Sequence, residues 1–183
     1  PYVIMRKVLL VYSTPVGHTS EIAGKISEVM QGEDTEVTVH PLSEGPVEDL
    51  DVFDTIIVGA SIRYGKHQPQ VYEFIAMNQA LLETKDNAFF SVNVVARKPE
   101  KNQPDTNPYM VKFLKQIDWQ PKKLAVFAGR LDYPTYTYFD RQMIRLIMWM
   151  TKGPTAADTV IEYTDWTKVE AFANEMAELS AAN

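Results

Sequence analysis

The chain has 183 residues, 45% of them hydrophobic and 23% charged, with a formal net charge of −6. Those values are ordinary for a globular protein able to bury a full α/β core, and no nucleic-acid partner is expected. The absence of cysteine excludes disulfides, thiolate metal sites and thiol catalysis, and three scattered histidines (His18, His40, His67) argue against a metal centre.

Residues 8–12 are short, apolar and β-rich, which predicts a buried strand. A hydroxyl-rich loop with one glycine follows over residues 13–19. From Thr19 the apolar residues Ile22, Ala23, Ile26, Val29 and Met30 recur at helical spacing. Strand, hydroxyl loop and helix together are the layout of a phosphate site, because loop N–H groups and a helix N-terminus point positive dipole ends at an anion. The loop is neither the Gly-x-Gly-x-x-Gly of dinucleotide folds nor the Gly-Lys-Ser/Thr of triphosphatases. With no lysine in it, neutral donors suit a terminal monophosphate. The plain alternative is a strand followed by a helix that Thr19 caps. The stretch resembles the flavodoxin signature at Leu10, Val11, Tyr12, Thr14, Gly17, Thr19, Ala23 and Ile26. That resemblance implies a flavodoxin-like fold, with the phosphate of flavin mononucleotide (FMN) held by Ser13, Thr14, Pro15, Val16, Gly17, His18 and Thr19. His18 itself reads equally well as exposed and idle.

Gly32 with Glu33-Asp34 ends the first helix, and residues 36–40 alternate as an edge strand closed by Pro41. Residues 42–54 are acidic and irregular, with room for a short helix. Residues 55–59 form a β-branched buried strand running into a loop over residues 60–65. A helix is predicted over 70–82 with Pro69 near its first turn, a strand over 88–92, a polar stretch over 94–108, a helix over 109–117 and a fifth strand over 124–129. Strands alternating with helices imply one doubly wound α/β domain with a five-stranded parallel sheet in the flavodoxin-like order 2-1-3-4-5. Three loops then meet at the carboxyl edge: residues 13–19, 60–65 and 93–96.

A minimal flavodoxin-like chain would pass from Gly129 almost directly to its last helix. Here residues 130–159 are inserted, beginning with an aromatic run (Tyr133, Tyr136, Tyr138, Phe139) and continuing as a helix expected over 140–152. The helix carries Met143, Ile144, Leu146, Ile147, Met148, Trp149 and Met150, with Arg141 and Arg145 as a narrow cationic stripe. Three readings compete: buried core or dimer contact, an amphipathic helix in a membrane interface, or the wall of a pocket for a large apolar ligand. Residues 94–152 hold 11 Lys/Arg against five Asp/Glu, whereas the rest of the chain holds 7 against 19. An anionic partner or membrane surface would be met there. A short strand over 160–163 and a last helix capped by Thr164 or Asp165 complete the chain. No signal peptide or membrane-spanning run is visible, which makes a cytoplasmic protein the default. Met5-Arg6-Lys7 looks like a native start, so residues 1–4 read as a remnant ahead of it.

Four segments narrow the family. They are Val58 to Gly65, Ser91 to Lys101 (with Ala96-Arg97-Lys98-Pro99-Glu100-Lys101), Tyr133-Pro134 with Tyr138-Phe139-Asp140-Arg141, and Tyr163-Thr164-Asp165-Trp166. Together they are similar to the flavodoxin-like protoporphyrinogen oxidases of bacterial haem synthesis, over nearly the whole chain. Pro15-Val16 departs from the more polar pattern of the phosphate loop. The resemblance implies six-electron oxidation of protoporphyrinogen IX to protoporphyrin IX in three two-electron steps, with menaquinone or ubiquinone as acceptor. It implies that Ala60, Ser61, Ile62, Arg63, Tyr64 and Gly65, with Asn93, Val94, Val95 and Ala96, flank the isoalloxazine ring. Tyr64 is the candidate to stack on it, the alternative being a surface tyrosine packed on the third helix. Because FMN carries the redox chemistry, no protein nucleophile is expected. Arg97, Lys98, Arg130, Arg141 and Arg145 are the candidates for the substrate's two propionates, the alternative for each being a solvated charge or a membrane-headgroup contact. Substrate and insertion together suggest peripheral attachment to the cytoplasmic face of the inner membrane, with a homo-oligomer as a further option. The rivals are an NAD(P)H:quinone reductase on the same fold, a flavodoxin-type electron carrier, and a membrane-recruited protein that has lost flavin.

Overall fold

The computed structural model describes residues 4–13, 18–63 and 65–181, Arg63 by its backbone alone. In β1 (Arg6–Ser13), Val8, Leu9, Leu10 and Val11 have no exposed surface. A strand covered on both faces belongs inside a parallel sheet, and β1 lies between β2 (Thr35–Pro41) and β3 (Thr55–Arg63). The crossover from β1 to β2 is α1 (His18–Met30). After β3 come β4 (Lys66–His67), α2 (Pro69–Thr84), β5 (Asp86–Val92), α3 (Pro108–Gln116) and β6 (Lys123–Phe127). The parallel order is β2-β1-β3-β5-β6, which is the expected 2-1-3-4-5 once β4 is set aside.

Side-chain alternation along the strands divides the core into two layers. Val8, Leu10, Tyr12, Ile57, Phe90 and Phe127 pack against α1 and the last helix, α5 (Trp166–Ala181). Leu9, Val11, Ile56, Val58, Phe89 and Val126 pack against α2 and α3. Gly59 is paired in register with Phe90, whose ring lies over the glycine. Two 3-10 turns, Leu42–Glu44 and Leu50–Val52, fill the acidic stretch where a short helix was expected.

The loop expected over residues 60–65 is not a loop for most of its length. β3 continues to Arg63 because Ile62 and Arg63 find antiparallel partners in His67 and Lys66. Gly65, which leads into β4, has a φ of +77°, the positive φ that such a tight reversal favours. The insertion also has more structure than predicted. It opens with β7 (Arg130–Asp132) and closes with β8 (Val160–Glu162), which pairs back on β7 antiparallel. Between them α4 spans Tyr138–Met150, two residues earlier than expected. Thr137 caps it, its hydroxyl accepting the Asp140 N–H at 3.3 Å. At the other end Lys152 is left-handed (φ +61°), with the Gly153 N–H donating to Met148 O at 2.6 Å and the Lys152 N–H to Trp149 O. Leu131, Tyr133, Tyr136 and Met148 form a small core of the insertion itself. At α5 the cap is Asp165, which accepts from the Thr167 and Lys168 N–H groups. None of the helices among the described residues is long and apolar enough to cross a membrane.

Candidate functional site

The carboxyl ends of β1, β3 and β5 open into a cleft, as expected where strand order reverses. One side is built from His18 and Thr19 at the start of α1, Ser61 and Ile62 on β3, Gly65, and Asn93, Val94 and Val95 after β5. The opposite side is the insertion, through Tyr136, Met143, Ile144, Ile147 and Met148. Val92, Gly129, Arg130, Tyr109 and Asp140 complete the lining. The inner face of α4 thus lines the cleft, while Tyr138, Phe139, Leu146, Trp149 and Met150 on its other side are exposed.

Two buried hydroxyls give this edge its chemical character. Ser13 Oγ, at the end of β1, and Ser61 Oγ find no hydrogen-bond partner among the described residues. Buried hydroxyls are rarely left unmatched, and a polar ligand in the cleft would satisfy them. The turn that follows β5 is rigid. Asn93 Oδ1 accepts the Ala96 N–H, and Asn93 Nδ2 donates to Ser91 Oγ at 3.1 Å. Asn107 Nδ2 donates to Asn93 Oδ1 at 2.9 Å, and Asn107 Oδ1 accepts the Met110 N–H that opens α3. His67 joins the chain through Ser91 Oγ at 2.8 Å, its ring edge-on to Phe89 and Phe113.

Burial among those rings pushes His67 down to about 4. A folded-state value depressed below the unfolded one means that the stability is present above about pH 6.5 and is lost as pH falls through about 4. Denaturant titrations should show this loss, roughly 3 kcal/mol at full extent, and His67→Phe should remove most of that acid dependence. An unchanged pH profile in His67→Phe would show that another group carries it.

The sequence-predicted residues divide as follows. His18, Thr19, Ser61, Ile62, Gly65, Asn93, Val94 and Val95 are brought together on the cleft wall, while Ala60 and Ala96 are buried behind it. Thr14, Pro15, Val16, Gly17 and Tyr64 lie outside the described residues, as does the Arg63 side chain. His18 is not idle. Its ring is one-tenth exposed, bonds Thr164 Oγ1 at 2.6 Å, and lies 3.2 Å from Glu21 and 3.6 Å from Glu162. The Thr164 hydroxyl donates to Ala128 O, so it accepts from His18 Nε2, which fixes the proton on that nitrogen.

The five basic candidates separate sharply. Arg141 donates to Tyr133 O and Tyr136 O, and Arg145 to Thr155 O at 2.7 Å. Arg97 donates to Val94 O, Thr151 O and Thr151 Oγ1. These three guanidiniums are spent on carbonyls of the chain, and Lys98 does not line the cleft. Arg130 does; it is two-fifths exposed and lies 3.3 Å from Asp132. Sequence reasoning missed Tyr109, Tyr136 and Gly129, whose place in the cleft follows from the fold and leaves no local signal.

The chain matches the flavodoxin-domain family over residues 9–158. It is 42% identical over 177 residues, covering 95% of this chain and 96% of its relative, to the protoporphyrinogen IX dehydrogenase (quinone) of Escherichia coli (strain K12). Over 178 residues it is 40% identical to the protein of that name from Leishmania major, covering 96% of this chain and 77% of the relative. Among solved structures it is similar to oxidised flavodoxin 1 from Bacillus cereus, with a TM-score of 0.55 at 16% identity and coverage of 94% and 97%.

Proposed function

The chain belongs to the flavodoxin family and, within it, to the protoporphyrinogen IX dehydrogenases, and we infer from that membership, with the two-sided cleft, what its residues do. It is an FMN-dependent oxidoreductase that converts protoporphyrinogen IX to protoporphyrin IX with a quinone as electron acceptor. The main reading thus stands over the pyridine-nucleotide reductase and the carrier. The observation that carries it is identity sustained through the insertion, across 95% of the chain.

The residues fit the cofactor. Buried Ser13 and Ser61 hydroxyls await a polar partner, and the wall between them is built from strand ends and a rigid turn. In this reading residues 13–19 hold the phosphate, while residues 60–65 and 93–96 hold the ring. The chemistry that bound FMN supplies is two-electron transfer between porphyrinogen and quinone, used three times per substrate. The protein's part is to hold and to shield. Met143, Ile144, Ile147 and Met148 offer an apolar, adaptable wall to a macrocycle and keep water out. Arg130 is the one permanently charged cation lining the cleft among the described residues, and it takes a propionate there. Porphyrin fluorescence appearing only when FMN-loaded protein, protoporphyrinogen IX and quinone are all present tests this reading. Equal rates without quinone under anaerobic conditions would refute it.

The same reading extends to location. A respiratory quinone is a lipid, and the outer face of α4 exposes Trp149 (72%), Met150 (68%) and Phe139 (63%), with Val160 of β8 half-exposed. This face docks the protein on the inner membrane as an interfacial helix. Trp149→Glu with Met150→Glu should weaken binding to anionic vesicles by about tenfold or more, since it replaces buried apolar area with charge. Equal vesicle binding by the two proteins would exclude this face.

A further inference from the structure

Arg97 was a candidate for substrate binding, yet its guanidinium is turned away from the cleft and grips the insertion. Nη1 donates to Val94 O within its own 3-10 turn, Val94–Arg97. Nη2 reaches 54 residues along the chain to Thr151, donating to its carbonyl at 3.2 Å and its hydroxyl at 3.0 Å. Thr151 is the residue that ends α4, and its hydroxyl in turn donates to Ile147 O. The guanidinium also lies 5.9 Å from the centre of the Tyr163 ring, just past β8. One side chain thus ties together the turn after β5, the end of α4 and the strand that closes the insertion.

A second feature is shaped around it. A Cβ on Gly153 would come within 2.9 Å of Arg97 Nη2 and 2.2 Å of Met148 Cε. The bare glycine leaves the guanidinium and the buried methionine room to meet there. Met148 faces the cleft, as does Val94 at the other end of the same clasp. The turn that Arg97 braces from one side is itself held from the other by Asn93 and Asn107. Movement of α4 relative to the turn therefore has to break charge-assisted hydrogen bonds.

We propose that Arg97 is a positioning residue that sets the separation between the turn 94–97 and the α4 wall, and through it the fit of the macrocycle. It touches neither substrate nor cofactor. The proposal rests on the function given above for its kinetic consequence, but not for its structural one.

The test compares wild type, Arg97→Met and Arg97→Lys in two arms. In the first, hydrogen exchange is measured on the FMN-free and FMN-loaded proteins. Residues 143–150 should exchange about tenfold faster in Arg97→Met, with α5 unchanged, because loss of a charge-assisted clasp is worth about that factor in opening. In the second arm, KM for protoporphyrinogen IX should rise about tenfold in Arg97→Met while kcat stays within about threefold, the pattern of lost binding alone. FMN affinity should stay within about threefold, and Arg97→Lys should recover part of both effects through its single ammonium. Unchanged exchange in α4 would overturn the clasp. Faster exchange with an unchanged KM would overturn its role in substrate fit. Absence of turnover in wild type would instead strike the functional reading, and the exchange arm would still judge the clasp.

Discussion

Replacing Arg130 by glutamine is expected to raise the KM for protoporphyrinogen IX by about ten- to a hundredfold, with kcat and FMN affinity little changed. The argument starts from position. Arg130 begins β7 at the cleft mouth, where Asp132 on the same strand lies 3.3 Å from its Nη2. A guanidinium bound to a carboxylate through two parallel N–H bonds is worth about 1.5–3 kcal/mol, which is the stated range of KM. The Asp132 contact trims that figure by competing for one edge of the fork. Arg130→Lys should recover part of the affinity, since it keeps the charge and loses the fork. Steady-state kinetics of the three proteins, alongside a substrate ester lacking free propionates, check the assignment. The ester should be indifferent to the substitution; equal losses for acid and ester would mean that Arg130 shapes the cleft instead of binding a carboxylate.

The largest effect on stability is expected at Gly59. A Cβ there would lie 2.2 Å from Phe90 Cζ and 2.6 and 2.7 Å from the neighbouring ring carbons. Phe90 has no room to yield, because its ring is fully buried against Phe127 and Phe172. Overpacking of this kind usually costs 1–3 kcal/mol, and a ring clamped by two others puts Gly59→Ala at about 3 kcal/mol or beyond. For a chain of this size the unfolding midpoint should fall by roughly 6–12 °C. Gly24→Ala is the control. It sits on the exposed side of α1 with nothing within 4 Å of its would-be Cβ, and should stabilise by about 0.5–1 kcal/mol. Thermal unfolding of both variants without FMN separates the two directions, and a neutral Gly59→Ala would mean that the strands can part.

What was legible in the sequence is what repeats along it. Four of the five main strands are largely apolar runs, the edge strand β2 alternates polar and apolar, and the order followed from strands alternating with helices. Elements of two or three residues carry no such period, so β4 and β7 were invisible. Both exist through pairing: Lys66–His67 on the end of β3, and Arg130–Asp132 on a strand some thirty residues away. The cleft residues contributed by loops were readable from the phosphate-loop layout and family resemblance, whereas Tyr109 and Tyr136 enter only because α3 and the insertion fold over the same edge.

Charged side chains were the least legible of all. Arg97 on its polar stretch and Arg141 and Arg145 on the apolar helix were alike candidates for the propionates, and each turned out to donate to a backbone carbonyl. A carbonyl acceptor has no signature in the sequence. His18 was named as part of the phosphate loop, with an exposed, idle ring as the alternative. Its contact to the Thr164 hydroxyl was hidden because Thr164 lies 146 residues away.

The most direct test of the whole account is sequential anaerobic mixing of the FMN-loaded protein, first with protoporphyrinogen IX and then with menaquinone. The account predicts that the oxidised flavin band bleaches on the first mix and returns on the second, with porphyrin fluorescence growing over repeated cycles. A flavin band that protoporphyrinogen IX leaves unchanged, but that NADPH bleaches, would contradict it and make the cleft that of a pyridine-nucleotide-dependent reductase.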